Sequence, residues 1–186
     1  MMGISPERAD AARNREAILR AAAELFDREG VEKVSMSDIA AAAGVGNGTV
    51  FRRFGDKTAL IEAVLKPRVH ALMEALRSGP PPLGPGGEPA DSLHACLDAL
   101  FDLAWTNRQL IRALEHRGPH AYYANDVSRF WIAELRRRVA LVRPDGDADY
   151  LAHALFTAIR ADIVEYLINE RSMTLDRVRE GLHSLV

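Results

Sequence analysis

Residues 36–57 read MSDIAAAAGVGNGTVFRRFGDK, two short helices on either side of a turn at Gly44-Val45-Gly46. Ser35 or Ser37 can cap the first helix, because a side-chain oxygen there accepts from the open N–H groups of the first turn. Asp38 adds a negative charge at the positive end of the same helix. Ile39, Ala40 and Ala43 make an apolar stripe, and the alanines let a second helix approach closely. Gly44 tolerates the left-handed conformation that ends a helix. In the second helix, which ends near Phe54, Val50 and Phe54 lie four residues apart and face inward. At about 100° per residue, Gly48, Thr49, Phe51 and Arg52 then face outward.

That outer face suits a major groove. Gly48 permits close backbone approach, Thr49 brings a hydroxyl and a methyl group, and the Arg52 fork matches guanine. Arg53 on the flank and Lys57 just beyond suit phosphate oxygens. Taken alone, the pattern also describes a plain helical hairpin with a charged surface.

The residues around it decide between the two. In order along the chain stand Arg15, Ile18-Leu19, Ala22, Leu25-Phe26 and Gly30, then Asp38-Ile39-Ala40 and Ala43-Gly44-Val45, then Gly48-Thr49-Val50-Phe51, Phe54, Lys57 and Leu60. From Arg13 to Val64 this resembles the N-terminal DNA-binding domain of the TetR family of bacterial transcriptional regulators, over about the first third of the chain. Two positions depart from the family habit: Phe51 stands where Tyr is usual, and Arg53 where His is common. Phe51 gives up a hydroxyl that reaches phosphate, and Arg53 supplies a stronger phosphate donor. By this resemblance, Asn47, Gly48, Thr49 and Arg52 are the residues for base-side contact or close approach. Arg15, Phe51, Arg53 and Lys57 are those for the DNA backbone, with Ser35 and Ser37 at the same surface.

Composition agrees without pointing to DNA. The chain has 186 residues and a formal net charge of −2, so DNA affinity must come from local placement of Arg and Lys. Residues 1–77 carry 12 Lys or Arg against 11 Asp or Glu, and residues 78–186 carry 12 against 15, so neither half is a basic domain. One cysteine, Cys96, excludes an internal disulfide framework and reads as a buried thiol in a reducing compartment. No apolar run approaches a membrane span and no apolar signal core opens the chain, so a cytoplasmic protein without membrane association is expected.

Along the chain, residues 1–12 lack apolar periodicity and are expected to fray, with Arg8, Arg13 and Arg15 available to a DNA backbone. Residues 13–29 form the first helix, with Ile18, Ala22, Leu25 and Phe26 on one face and Gly30 as its stop. A fourth helix starts at Asp56 or Lys57, and Pro67 inside it should kink or divide it. Residues 78–90, with SGPPPLGPGGEP at 78–89, read as a flexible connection. Five more helices follow: 91–106, a short one capped by Asn107 and stopped at Gly118-Pro119, 121–142, 147–171, and a last one from Thr174. The 147–171 helix is apolar around most of its circumference, which predicts burial on two sides, either within the chain or against a partner subunit.

The expectation is an all-α chain of about nine helices. Residues 1–56 form the three-helix DNA-binding domain, with the helix-turn-helix at about 36–54, and residues 57–186 form the ligand-binding and dimerisation domain. The resemblance implies a homodimer paired through the last two helices, reading a palindromic double-stranded DNA operator whose half-sites lie about 34 Å apart. It also implies a small-molecule effector, not identified by the sequence, that releases a repressor. Phe101, Trp105, Tyr122, Tyr123, Phe130, Trp131 and Phe156 are the candidate lining for that effector, and each alone is also an ordinary core residue. Arg160 would meet an anionic group or pair with Asp162 or Glu165. His116 and His120 about Gly118-Pro119, and Asp145, Asp147 and Asp149, lack the spacing of a metal site. No phosphate loop, nucleophile elbow or carboxylate pair is present, so no catalytic residue, metal or cofactor is expected. The rival reading is a helical carrier or interaction protein with a vestigial DNA-binding head.

Overall fold

The computed structural model describes residues 6–115 and 121–186, and among these every regular element is helical. The contact expected of Arg8 and the His116, His120 and Gly118-Pro119 features fall outside the described side chains.

Helix α1 spans Pro6–Glu29 and begins earlier than the apolar periodicity does. Proline near a helix start has its φ pre-set and no N–H to leave unsatisfied, which favours an early start even on a polar stretch. Gly30 ends α1 at φ 86°, and a 3-10 turn, Val31–Lys33, leads to α2, Met36–Ala42. Helix α3 is Asn47–Phe54, and α4 is Lys57–Ser78. Asp56 starts α4, its carboxylate accepting from the Ala59 N–H at 2.8 Å.

Ile18, Ala22, Phe26, Ile39, Ala40, Val50 and Leu60 are almost fully buried in the first part of the chain. Burying a side chain such as Ile39 or Phe26 contributes roughly 2–3 kcal/mol, which makes α1 the cover of the α2–α3 pair rather than an appendage. The chain divides into two compact units, Met1–Pro67 and Arg68–Val186. The division falls inside α4, later than residue 56, because the first turns of α4 bury Leu60, Ile61, Val64 and Leu65. Pro67 does not split this helix, which is assigned without interruption from Lys57 to Ser78.

Residues 79–88 are irregular, as expected, but they are tied down. Arg138, 2% exposed, donates from Nη2 to the Leu83 carbonyl at 2.8 Å and from Nε to the Ser92 carbonyl at 3.4 Å. Gly84 sits so near the Gly79 backbone that an added Cβ would lie 1.8 Å from the Gly79 oxygen, so no other residue fits. Leu83 packs against the hydrophobic core of the second unit.

The second unit continues with α5, Pro89–Thr106, α6, Arg108–Glu115, α7, Ala121–Ala124, α8, Asp126–Val142, α9, Ala148–Ala158, α10, Ala161–Asn169, and α11, Leu175–His183. Its core gathers Leu93, Cys96, Leu97 and Phe101 of α5, Trp131, Leu135 and Val139 of α8, Leu155 and Phe156 of α9, and Val178 and Leu182 of α11.

Two helices expected to be continuous are each divided, which raises the count from about nine to eleven among the described residues. The 121–142 helix breaks at Asn125, whose extended backbone lets Oδ1 accept from the Ser128 N–H at 2.9 Å and cap α8. The 147–171 helix breaks at Arg160, whose guanidinium pairs with Asp162 through Nε and Nη2, both at 2.9 Å. Residues two apart face opposite sides of a helix, so this pair needs the extended conformation that Arg160 adopts. Asn107 does not cap α6 with its side chain. Its Nδ2 donates to the Leu103 carbonyl at 2.7 Å, and its Oδ1 accepts from Arg68. Thr174 does cap the last helix, accepting from the Arg177 N–H at 3.2 Å. Two-sided burial of the 147–171 stretch is incomplete, since Ile163 and Tyr166 stay exposed.

Candidate nucleic-acid interface and effector region

The α2–α3 hairpin is fixed by three local devices. Ser35 Oγ accepts from the Asp38 N–H at 3.2 Å while an Asp38 carboxylate oxygen takes the Ser35 N–H at 2.8 Å, a reciprocal capping box. The Ser35 hydrogen bonds hold the Asp38 carboxyl below its ordinary pKa. At the far end, the Val45 N–H reaches the Ala40 carbonyl at 3.0 Å and the Gly44 N–H reaches Ala41 at 3.2 Å, with Gly44 at φ 66°. This is the Schellman closure, and only a left-handed residue at Gly44 completes it. Between the two helices, Asn47 Nδ2 donates to Ser37 Oγ at 3.1 Å.

Helix α3 turns Val50 wholly inward and leaves Asn47, Gly48, Phe51, Arg52 and Arg53 exposed, with Thr49 half-buried. Phe54 is half-buried, and the Arg15 guanidinium from α1 lies 5.7 Å from its ring centroid. That contact brings Arg15 of α1 to the C-terminal end of α3, while Lys57 follows at the first turn of α4. Gly46 precedes α3 and has no side chain with which to cap it, although its carbonyl accepts from the Thr49 N–H at 2.8 Å, while Arg52 and Arg53 stand in the last turn of the helix. A helix start of this kind favours an anion. Phe51 is a large apolar ring left 47% exposed.

In the second unit the seven expected aromatic residues all belong to or pack against one hydrophobic core, but their ring contacts fall into separate groups. Phe101 is buried under Arg179, 4.9 Å from its ring, and Trp105 carries Arg108 at 4.5 Å. Phe130 and Trp131 meet edge to face at 4.9 Å, with Arg77 over Phe130 at 5.3 Å. Tyr122, Tyr123, Phe156 and Arg160 do come together. Tyr122 stacks on Phe156 at 5.1 Å, Tyr123 meets Tyr122 edge-on at 5.0 Å, and Arg160 lies 4.3 Å over the Tyr122 ring. Burial, reinforced by Glu115, pushes the Tyr122 phenol well above its ordinary pKa, so it stays neutral. Arg160 pairs with Asp162, the nearer of the two acids expected, and with Glu115 at 3.7 Å. Glu165 instead faces Arg108 at 3.8 Å and Arg112 at 3.6 Å. Neither Glu115 nor Thr157, whose Oγ1 lies 3.0 Å from the Tyr123 hydroxyl, was marked by local sequence spacing. Their partners are distant in the chain. Among the described residues, no group of three or more His, Cys, Asp or Glu side chains is arranged to hold a metal, and no helix is long and apolar enough to cross a membrane.

Comparison with known proteins gives three findings. Residues 18–64 match the family described as bacterial regulatory proteins, tetR family. An HTH-type transcriptional regulator of Staphylococcus aureus is 48% identical over 59 residues, which cover 32% of this chain and 32% of that regulator. The match therefore spans about a third of the curated relative's length. Among solved structures, a chain from Saccharomonospora viridis, assigned as a transcriptional regulator and in complex with choline, is 20% identical with a TM-score of 0.72, covering 93% of this chain and 95% of that one. FadR from Bacillus subtilis, in complex with stearoyl-CoA, is 16% identical with a TM-score of 0.65, covering 91% and 96%. At these identities the structures share the fold.

Proposed function

We propose, from the match of residues 18–64 to the tetR family of bacterial regulatory proteins, that this chain is a sequence-specific DNA-binding transcriptional regulator, a repressor released from its operator by a small molecule. The observation that carries this is the division of α3 into a buried side at Val50 and an exposed side of Gly48, Phe51, Arg52 and Arg53. A helix so divided presents one face to a groove and anchors the other. Arg52, Thr49, Asn47 and Gly48 take the base edges, and Arg15, Phe51, Arg53 and Lys57 the backbone, with Ser35 and Ser37 at the same surface. The reading head is residues 1–56 with the first turns of α4 packed into the same compact unit, and the remainder of 57–186 is the effector and dimerisation domain.

The operator is palindromic and the protein a homodimer through its last helices. Tyr150 of α9, Ile163 and Tyr166 of α10 and Leu185 beyond α11 are large side chains left 70%, 38%, 52% and 48% exposed, which supports pairing there. A change in the spacing of the two heads then weakens both half-site contacts together. The effector is a small molecule held in the second unit, as choline and stearoyl-CoA are held by proteins of the same fold.

The test is fluorescence anisotropy with DNA from the protein's own upstream intergenic region, across a salt series and against scrambled competitor. Selective binding with a steep salt slope supports the regulator. Equal, weak binding to both, repeated after selection from random sequence, favours a carrier with a vestigial head. Sedimentation of the free protein reads the dimer.

A further inference from the structure

We infer that His94 and His183 form a proton-counting clasp between α5 and α11, tightest with one proton on the pair and released by a second. The two imidazoles stack with centroids 4.4 Å apart and planes 12° from parallel. His183 Nε2 lies 2.9 Å from Asp98 Oδ1, and Arg179 Nη1, one turn earlier on α11, donates to the same oxygen at 3.0 Å. Arg179 Nη2 also donates to Asp102 at 2.7 Å. His94, Asp98 and Asp102 follow one another at four-residue steps and share a face of α5, as Arg179 and His183 share a face of α11. An ionised carboxylate only accepts, so the His183 Nε2 carries the hydrogen and its Nδ1 is the atom left to take a proton.

Charge sets the count. With both rings neutral, the two carboxylates face one guanidinium. A first proton on His183 balances the cluster and strengthens the Nε2 contact to Asp98. A second proton, on His94, meets an imidazolium across the stack, and like charges at that range oppose each other. A charged His94 can turn instead to Asp98, one turn along its own helix, but that draws from α11 the carboxylate that holds it. Either outcome loosens α11. The charged groups on the helices packed against α5 and α11 are engaged with one another: Glu134 with Arg137 and Arg138 on α8, Arg108 and Arg112 of α6 with Glu165 of α10, and Asp162 with Arg160. Arg143, past the end of α8, reaches the Leu185 carbonyl at 3.5 Å. Asp91, three residues before His94, and Glu180, three before His183, are exposed, and water screens them. The second unit by itself carries the clasp. Its consequence, a homodimer that weakens in acid because α11 is a pairing helix, rests on the dimer reading above.

The experiment is hydrogen exchange on the full chain without DNA, followed from about pH 8 to about pH 5, the range in which imidazoles take up protons, and corrected for the intrinsic rate at each pH. The unfolded chain takes both protons without opposition, so the clasp is lost as pH falls. Protection of the α11 amides should fall roughly fivefold on the acid side, while that of the α8 amides holds. His94→Phe keeps a flat ring on the stack and takes no proton, so it should abolish the fall. His94→Gln, which also takes no proton, should abolish it too, with lower protection throughout. His153→Gln, on α9, should leave the fall as it is. Thermal melts confirm that each variant is folded. Protection of α11 that is indifferent to pH, an equal fall in α8, an undiminished fall in both His94 variants, or its loss in His153→Gln overturns the inference. Operator binding and sedimentation, as above, read the regulator and its pairing separately.

Discussion

The Asn47 amide donates to the Ser37 hydroxyl at 3.1 Å, so the first residue of α3 is fastened to the first turn of α2 across ten residues of chain. The angle between two short helices is thus held by a polar contact at their open ends as well as by Val50 and Ile39 in the core. Ser37→Ala should cost less than about 1 kcal/mol of stability, because the pair is exposed. It should still lower operator affinity, because it frees the reading helix to rotate. Unchanged affinity in Ser37→Ala, measured by anisotropy, would restrict Asn47 to direct DNA contact.

Arg52→Ala should cost about 1–3 kcal/mol on the operator and relax preference at the base pairs it reads. Lys57→Ala should weaken specific and random DNA alike and flatten the salt slope by about one ion. Paired titrations on both DNAs separate the two, and equal losses for Arg52→Ala would move it to the phosphate class.

The capping box makes α2 acid-sensitive. The Asp38 carboxyl has a folded pKa below its ordinary value. Its contribution is therefore complete above the ordinary carboxylate range and is lost as pH falls through the depressed value. Ser35→Ala should lower stability by about 1 kcal/mol at neutral pH. It should also shrink the acid-side loss, which urea melts at neutral and acid pH will read. An unchanged acid limb would place the sensitivity elsewhere, Asp162 being the other depressed carboxyl.

Arg138 ties α8 to the irregular segment 79–88 and to the first turn of α5. It bridges the Leu83 and Ser92 carbonyls and pairs with Glu134 at 2.7 Å. Arg138→Ala should cost about 3 kcal/mol, since it leaves the part-buried Leu83 and Ser92 carbonyls without their donor, while Glu134 keeps Arg137 at 3.1 Å. Proteolysis should then cut between residues 79 and 88. Resistance there would show that Leu83 packing alone holds the segment.

Cys96 is fully buried, and burial pushes its thiol up to about 11. Its reaction with a disulfide reagent at mildly alkaline pH should be no faster than global unfolding, because the thiolate is scarce and screened. Labelling that outpaces unfolding would reveal local opening of α5.

Legibility in the sequence followed the range of the interaction. Helix α3 ends at Phe54 as its apolar spacing predicts, and Gly44 closes α2, because a cap, a stripe and a left-handed glycine all act within one or two turns. The breaks at Asn125 and Arg160 escaped that logic. Apolar periodicity runs through both, and only the competing side-chain bonds to Ser128 and Asp162 stop the helix. Segment 79–88 misled in the other direction: its Pro and Gly content forbids regular structure, but Arg138, more than fifty residues away, holds it.

The sequence by itself determined an all-helical chain with a helix-turn-helix head, since those features rest on residue spacing and turn chemistry. Only the tertiary structure decided which aromatic residues meet. Phe101, Trp105 and Phe130 went separately to Arg179, Arg108 and Arg77, while Tyr122, Tyr123 and Phe156 converged on Arg160. A ring's partner is set by which helices cross at its height, and helix crossing depends on contacts that no local spacing records.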